Sequence, residues 1–235
     1  MIVMKKNKLL IGLFAIGLFI LLYPYLAQYI NNKLQASTAK EYEENLNLMS
    51  IDELTKMLKQ AKICNEAIYN NEELVYDPFT IGHKRTQFEA CKDAPLNGDL
   101  VATIEIPSLK LLIPIYLGAG EDSLSRGIGQ VEGSSLPIGG TNTHTVLAGH
   151  RGMGSKEMFK NTDKLKSGDL FYIHTFKNTL AYKIFNKDIV LPNETENLVI
   201  QDNKDLASLV TCHPYGENSH RLIIQGERIK KKNVQ

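Results

Sequence analysis

The sequence predicts a mainly β fold, a closed barrel or a sandwich, that follows N-terminal helices. Three patterns predict this order of elements. An apolar N-terminal run comes first, an amphipathic helical pattern behind a capping box comes second, and short strands divided by Gly, Pro and Asn turns come last. Hydrophobic residues make up 43% of the 235-residue chain, so most of it can fold around a core.

The N-terminal segment has the composition of a membrane anchor. Lys5, Lys6 and Lys8 precede an apolar run over residues 9–27. A run of about 19 residues at ~1.5 Å per residue nearly crosses a ~30 Å hydrocarbon layer. It ends in bulky and aromatic residues, whereas a cleaved signal peptide, the alternative, has a shorter core and ends in small residues. We therefore expect residues 1–30 to be a cytoplasmic tip and an uncleaved signal anchor, with the remaining chain outside the cell.

Residues 31–97 are predicted to form a helical stalk and a loop. Ser50 and Glu53 make a capping box, after which apolar residues recur every three or four positions, and a shorter helix over residues 37–48 precedes it. Residues 76–96 are irregular, since their Pro and Gly oppose a continuous helix or strand. A loop of this length is more often functional or disordered than a neutral connector.

Residues 98–229 have the pattern of a β domain. Short strands are predicted at 101–106, 111–117, 145–148, 170–175, 180–191, 206–212 and 221–225. Helical turns are indicated near 122–126 and 155–165, and the basic tail at 230–235 is expected to be a solvated end.

Charge and cysteine usage exclude several classes of protein. The chain has 27 Lys and Arg against 26 Asp and Glu, a net charge of +1, which argues against binding nucleic acid by broad phosphate neutralisation. Three cysteines without a CxxC spacing argue against a zinc site and against a disulfide scaffold. The glycine-rich stretches lack a phosphate-loop pattern, so neither a metal nor another cofactor is predicted.

The three cysteines differ in context. Cys64 lies on the apolar stripe of a predicted helix, where we expect simple packing, with a disulfide to Cys91 as the alternative. Cys212 ends an apolar strand and opens into a turn, which can present a reactive thiol on a rigid support. Arg221 begins the next predicted strand. If the two strands are hairpin partners, its guanidinium can donate hydrogen bonds to an oxyanion near the thiol.

A histidine at a similar strand end completes a family resemblance. His150 lies where a strand runs into a glycine turn, although its position alone does not select it over His144 or His213. Residues 146–152, V-L-A-G-H-R-G, resemble the histidine motif of the sortase family, and residues 208–212, S-L-V-T-C, resemble its T-L-x-T-C motif. Arg221 falls where the family's arginine does. The similarity extends from about residue 98 to residue 229, including segments 132–137 and 211–221.

The resemblance implies a closed eight-stranded antiparallel sortase barrel and a membrane-bound cysteine transpeptidase of a Gram-positive cell surface. It implies that Cys212 is the nucleophile that attacks the Thr–Gly carbonyl of an LPxTG-like sorting signal. His150 is then the acid and later the base, and Arg221 positions substrate and steadies the oxyanion. The family also has its Cys and His largely neutral at rest. Ser208 departs from the family's usual Thr but keeps a hydroxyl.

A second motif indicates the subclass. Asp77, Pro78 and Phe79 resemble the lid motif of class C, pilin-polymerising sortases, which implies that Asp77 contacts Arg221 and that the Phe79 ring covers the thiol. Many class C members carry a second, C-terminal membrane helix. Here the sequence up to residue 235 ends in the basic tail, so either the protein has a single-pass N-terminal anchor, which we expect, or the sequence is truncated before a second helix.

Several functions remain open at this point. The leading prediction is a transpeptidase that joins the sorting signal to a pilin lysine amine. A cell-wall-anchoring sortase with a peptidoglycan-precursor amine as acceptor is the first alternative, and hydrolysis by water is another. An inactive membrane-tethered binding module is the alternative of a different class. The predicted partners are therefore a peptide signal, an acceptor amine and the membrane, and not nucleic acid.

Overall fold

The computed structural model describes residues 2–71, 75–80, 91, 100–152, 156–176 and 178–229. Most of the predicted irregular loop, at 81–90 and 92–96, and the predicted basic tail at 230–235 lie outside the described residues.

Helix α1 joins the predicted anchor and the first part of the stalk into one element, Ile2–Leu48, which passes through Pro24. The separate helix expected at 37–48 is therefore wrong, because nothing between the apolar run and that segment breaks a helix. Side chains from Leu10 to Leu26 are all exposed. Within the described residues this is the one helix long and apolar enough to cross a membrane, which makes it a candidate membrane anchor.

Beyond its apolar part, α1 is attached to the β domain by polar side chains. Asn32 Nδ2 donates to Glu157 Oε2 at 2.8 Å. Gln35 Nε2 donates to the Arg126 carbonyl and to Met158 Sδ, both at 3.1 Å. Asn32 and Gln35 lie within one helical turn of each other, and they attach α1 to the β domain at Arg126 and at residues 157–158.

Helix α2, Ile51–Asn70, begins at the predicted capping box, which is confirmed. The Glu53 amide donates to Ser50 Oγ at 3.2 Å, and the Ser50 amide donates to Glu53 Oε2 at 3.0 Å. One face of α2 is buried against Leu46 of α1 and Leu136 and Phe176 of the β domain; its buried apolar residues are Leu54, Met57, Ala61, Cys64 and Ile68. The predicted apolar stripe is thus the face that packs.

A disulfide joins Cys64 to Cys91. The expectation that Cys64 only packs is therefore wrong, although its side chain is fully buried on that stripe. Its partner Cys91 lies in a segment without a periodic pattern, so the distance between the two thiols could not be predicted from spacing. The bond spans 27 positions and closes a loop that contains the segment Asp77 to Phe79. Cys212 is the free cysteine.

The described part of the remaining chain forms helix α3 and eight strands. Helix α3 is Glu121–Arg126, and the strands are β1 Leu100–Ile106, β2 Leu111–Leu117, β3 Ile128–Gln130, β4 Thr143–Ala148, β5 Leu170–Thr175, β6 Asn178–Val190, β7 Asp205–His213 and β8 His220–Arg228. Short 3-10 turns lie at Pro107–Leu109, Thr162–Lys164 and Glu196–Leu198. The sequence missed β3, because three residues that include a glycine are too short to show alternation.

The strands close into a barrel in the order β1-β2-β3-β4-β7-β8-β6-β5, which confirms the predicted closed eight-stranded barrel. Its pairing differs from the expected antiparallel pattern in two places among the described strands, since β2–β3 and β4–β7 are parallel. Helix α3 reverses the chain between β2 and β3, and β5 and β6 lie between β4 and β7, so both parallel pairs have the crossover they need. The interior is filled by large apolar side chains, among them Ile104, Phe171 and Tyr182.

His144 of β4 is a fully buried polar residue. Its Nδ1 lies 2.9 Å from the Val199 carbonyl and its Nε2 lies 2.7 Å from Ser208 Oγ. A carbonyl only accepts, so Nδ1 carries the proton and Nε2 accepts from the Ser208 hydroxyl. Burial lowers the pKa of His144 to about 4. The residue is therefore a neutral structural histidine, and Ser208 supplies its donor.

We expect acid to destabilise the fold through His144. The unfolded side chain binds a proton near its ordinary pKa of 6.5, whereas the folded one stays neutral down to about 4. The contribution of neutral His144 to the free energy of unfolding is therefore fully present above pH 6.5. It is lost as the pH is lowered to 4, which amounts to about 3 kcal/mol. Urea unfolding of the full chain in detergent at several pH values measures the slope, and His144→Gln should reduce it in that window. Equal slopes for the two proteins would contradict the assignment.

Candidate active site

Strand pairing brings the three predicted catalytic residues to one edge of the barrel. β4 and β7 are parallel neighbours, with Ala148 opposite Val210, so both strands end at the same edge. His150 follows the end of β4 by two residues. β7 and β8 are antiparallel, and Cys212 is paired directly with Arg221. The hairpin expected from the spacing of these two residues is thus present.

Gly149 allows the chain before His150 to lie close to the barrel. A Cβ atom at this position would be 2.6 Å from Ile128 Cδ1 and 2.8 Å from Phe159 Cδ2, closer than carbon atoms approach each other. Its amide donates to the Val210 carbonyl at 3.1 Å, which extends the β4–β7 pairing to the residue before the histidine. The glycine of the histidine motif is therefore a packing requirement of the site.

The thiol of Cys212 is largely buried, with 9% of the residue exposed. Burial raises its pKa most strongly; the positive charge of Arg221 lowers it, and the negative charge of Asp77 raises it again. The result is a pKa above the ordinary cysteine value, so the group is a neutral thiol at pH 7. The nucleophilic thiolate is the minor form in this arrangement.

His150 is shifted in the opposite direction. Burial lowers its pKa, and the carboxylate of Glu121 raises it by less. Its Nε2 is buried and has no hydrogen-bond partner among the described residues. The imidazole is therefore neutral at pH 7, and a thiolate–imidazolium pair is a minor species beside the neutral thiol and imidazole.

Arg221 is buried and its hydrogen bonds are occupied. Nε donates to Asp77 Oδ1 and Nη2 donates to Asp77 Oδ2, both at 2.7 Å. Nη1 donates to the carbonyls of Asn218 and His220, each at 3.0 Å. The bidentate carboxylate uses the two outward donors of the guanidinium, so another anion can bind there only if Asp77 leaves.

Asp77, Pro78 and Phe79 form a turn across this edge of the barrel. Thr80 Oγ1 donates to Asp77 Oδ2 at 2.6 Å, which orders the turn. The Phe79 ring centre lies 5.9 Å from that of His150 and 5.3 Å from the guanidinium carbon of Arg221. The ring therefore contacts the two side chains that accompany the thiol. That it covers the thiol itself stays a prediction.

Arg151 is a site residue that the sequence reasoning missed. It is buried, and its Nη1 donates to the Cys212 carbonyl at 3.4 Å and to His213 Nδ1 at 2.5 Å, while Nη2 lies 3.2 Å from Asp163 Oδ2. It thereby links the end of β4 to the end of β7. The only available signal was its position next to His150, which gives no role by itself.

A buried thiol, a neutral imidazole and a guanidinium at one edge are the parts needed for acyl transfer through a covalent intermediate. The described residues contain no group of three or more His, Cys, Asp or Glu side chains placed to hold a metal ion. By their chemistry, Cys212, His150 and Arg221 are suited to act as nucleophile, proton carrier and anion site.

Known proteins share this architecture. The family model described as Sortase domain matches residues 104–229. Sortase D of Bacillus subtilis is 30% identical over 138 residues, which are 57% of this chain and 67% of that protein. A crystal structure of Streptococcus pneumoniae sortase C is 38% identical with a TM-score of 0.75, over 83% of this chain and 97% of that one. Clostridium perfringens sortase C, solved with the C-terminal cell wall sorting motif, is 38% identical with a TM-score of 0.71, over 83% and 98%.

Proposed function

Because the chain belongs to the sortase family and resembles its class C members, we propose that this cysteine transpeptidase joins an LPxTG-like sorting signal to a pilin lysine amine. The observation that carries the proposal is the bidentate contact between Asp77 and Arg221. In this contact, a carboxylate of the chain itself occupies the guanidinium whose hydrogen bonds the reacting substrate would need. The structural relatives named as sortase C, one with pilin substrate specificity in its description, support the same subclass.

The first half of the proposed reaction forms a thioester. After Asp77 leaves Arg221, the Cys212 thiol gives its proton to His150, and the thiolate attacks the Thr–Gly carbonyl of the signal. Arg221 donates hydrogen bonds to the oxyanion of the tetrahedral intermediate. The His150 imidazolium then protonates the glycine amine, which leaves, and the threonine carbonyl remains bonded to Cys212 as an acyl-enzyme.

The second half transfers the acyl group. A neutral lysine amine of the acceptor attacks the thioester carbonyl, and neutral His150 accepts its proton. The Cys212 thiolate leaves and takes the proton back, so the enzyme returns to its starting state. One amide bond is broken and one is formed, so the exchange needs neither an oxidant nor a nucleotide.

The turn at Asp77, Pro78 and Phe79 acts as a lid in this proposal. Asp77 occupies the donors of Arg221, and the Phe79 ring fills the space between Arg221 and His150. A peptide signal must displace both before its carbonyl can approach the thiol. The lid therefore controls both access to the nucleophile and the charge around it.

Helix α1 and the disulfide support the proposed location. We assign residues 1–30 to a cytoplasmic tip and a transmembrane anchor, 31–97 to the stalk and lid, 98–229 to an extracellular catalytic barrel and 230–235 to a basic tail. The apolar exposed face of α1 supports the anchor. The Cys64–Cys91 disulfide supports an extracellular barrel, because such bonds persist in oxidising compartments.

Intact-mass spectrometry tests the function. The full chain in detergent micelles is mixed with an LPxTG-type peptide, with and without a lysine-bearing pilin domain. We expect an acyl adduct on the enzyme that moves to the pilin when it is present. An adduct that ignores the pilin but moves to a peptidoglycan stem peptide would replace the proposal with a cell-wall-anchoring sortase.

A further inference from the structure

Glu121 lies beside the predicted acid–base residue. Its Oε2 is 4.0 Å from His150 Nε2, and it is the first residue of α3. Within the described part of the chain, the ion-pair partner of Glu121 is His150. Neither the histidine motif nor the cysteine motif contains this residue, because it lies between β2 and β3.

The short helix that carries Glu121 is anchored to the barrel on both sides of the residue. Ser123 Oγ donates to the Leu117 carbonyl at 3.2 Å, and the Ala119 amide donates to Glu132 Oε2 at 3.2 Å, so both sides of the turn into α3 are anchored. Leu124 is buried in the apolar cluster against which Phe79 packs. The carboxylate is thus carried by a short helix that is held to the barrel next to the lid.

Other charged groups around the site have different partners. Asp77 is paired with Arg221, and Arg151 is turned toward Asp163 and His213. From the lid, His150 is faced by the uncharged Phe79 ring. The carboxylate of Glu121 is therefore the charge that acts on the imidazole from the elements packed around it.

The chemistry of the site creates a need for such a charge. His150 must be protonated while the glycine amine leaves, yet burial disfavours its charged form, and Nε2 has no hydrogen-bond partner in the described part of the chain. A carboxylate at 4.0 Å favours the imidazolium and leaves neutral imidazole nearly unaffected. Because 4.0 Å exceeds a hydrogen bond, the carboxylate acts through its charge.

We propose that Glu121 is a positioning residue for the acid–base step, whose carboxylate stabilises the protonated His150 that delivers the proton to the leaving amine. The inference rests on the proposed function, since only that reaction requires a protonated His150. Glu121 is 79% exposed, so its effect is moderate and screened by salt.

This role predicts a specific kinetic signature. When the active form is the thiolate–imidazolium pair, its population depends on how near the pKa of His150 lies to that of Cys212. Loss of the carboxylate lowers the pKa of His150, which reduces the plateau of kcat/KM and moves the acid limb of its pH profile to lower pH. The logarithm of the plateau decrease and the displacement of the acid limb should both equal the decrease in the pKa of His150. Damage to the fold would lower the plateau without moving the limb.

The experiment compares Glu121→Gln with Asp122→Asn as a matched control. Asp122 carries the same charge one residue further on and is 70% exposed, but its partner is Arg126 at 2.7 Å. Both changes are made in a full-length Phe79→Ala protein, so that lid opening does not limit the rate. Acyl-enzyme formation with an LPxTG-type peptide is followed from about pH 5 to pH 9.

We expect Glu121→Gln to lower the plateau roughly threefold and to move the acid limb down by about half a pH unit. Asp122→Asn should leave the profile in place, and Glu121→Asp should recover part of both changes. At roughly 1 M salt, where the screening length is about 3 Å, the difference between Glu121→Gln and its parent should shrink.

A second readout does not depend on turnover. NMR titration of 13C-labelled histidine in the full chain, with the His150 signal assigned by His150→Gln, gives the pKa of His150 directly. Glu121→Gln should lower it. An unmoved His150 titration, or a lower plateau with an unmoved acid limb, would overturn the inference. Failure of the Phe79→Ala parent to form any Cys212 adduct would instead overturn the proposed function, and the titration would still decide whether the pair exists.

Discussion

Replacement of Cys212 by alanine is expected to abolish acyl transfer, with a loss of at least roughly a thousandfold. The variant lacks the atom to which the acyl group is bonded, while β7 keeps its pairing with β8 on both sides of the position. Mixed with an LPxTG-type peptide, the full chain should show only its unmodified mass in a denaturing mass spectrum. The His150 and Arg221 side chains that remain cannot form a stable adduct.

The disulfide makes this experiment unambiguous. Cys64 and Cys91 are bonded to each other, and Cys212 is the free thiol, so an adduct has one cysteine to occupy. A Cys64→Ser, Cys91→Ser double variant is the matched control and should still form the adduct. A peptide adduct that survives in Cys212→Ala would show that another residue is the nucleophile.

The second large effect is expected at the lid. Asp77→Ala should raise the rate of thiol alkylation by iodoacetamide at least about tenfold at pH 7. Arg221 would lose its bidentate partner, so the lid would lose its main polar contact with the barrel. The negative charge of Asp77 also raises the pKa of Cys212, whereas Arg221 lowers it. Without Asp77 that pKa falls, and the alkylation profile moves to lower pH.

Phe79→Ala separates access from charge. This variant removes the ring but keeps the carboxylate, so labelling should increase with little displacement of the pH profile. Asp77→Asn, which keeps the size of the side chain and removes its charge, should displace the profile as Asp77→Ala does. Unchanged alkylation rates in both Asp77→Ala and Phe79→Ala would contradict the lid assignment.

The parts predicted correctly from residue patterns are those whose cause is local. The capping box of α2 needs only Ser50 and Glu53, three residues apart. Cys212 and Arg221 face each other because one short turn joins β7 to β8. By contrast, Asp77 and Arg221 are 144 positions apart, and only the resemblance to class C sortases indicated their contact.

The parts that were missed depend on the assembled barrel. β3 is three residues long, and only its pairing with β2 and β4 defines it as a strand. Cys91, which forms the disulfide with Cys64, lies in a segment whose sequence has no periodic pattern. Glu121 meets His150 only because α3 returns the chain to the edge where β4 ends. Spacing and composition do not predict the β3 pairing or the Glu121–His150 pair, and they leave the Cys64–Cys91 disulfide only as an alternative to simple packing.

The polar contacts between α1 and the barrel set the distance between the apolar part of α1 and the barrel. Asn32 and Gln35 contact Glu157, Met158 and Arg126, in the loop after His150 and at the end of α3. From Ile30, an exposed apolar residue of α1, to Gln35 the helix rises only about 8 Å. If the apolar part of α1 spans the bilayer as proposed, the edge that carries Cys212 and His150 would be held close above the lipid headgroups. A sorting signal tethered in the same membrane would then meet the thiol by lateral diffusion, and the search for substrate would be two-dimensional.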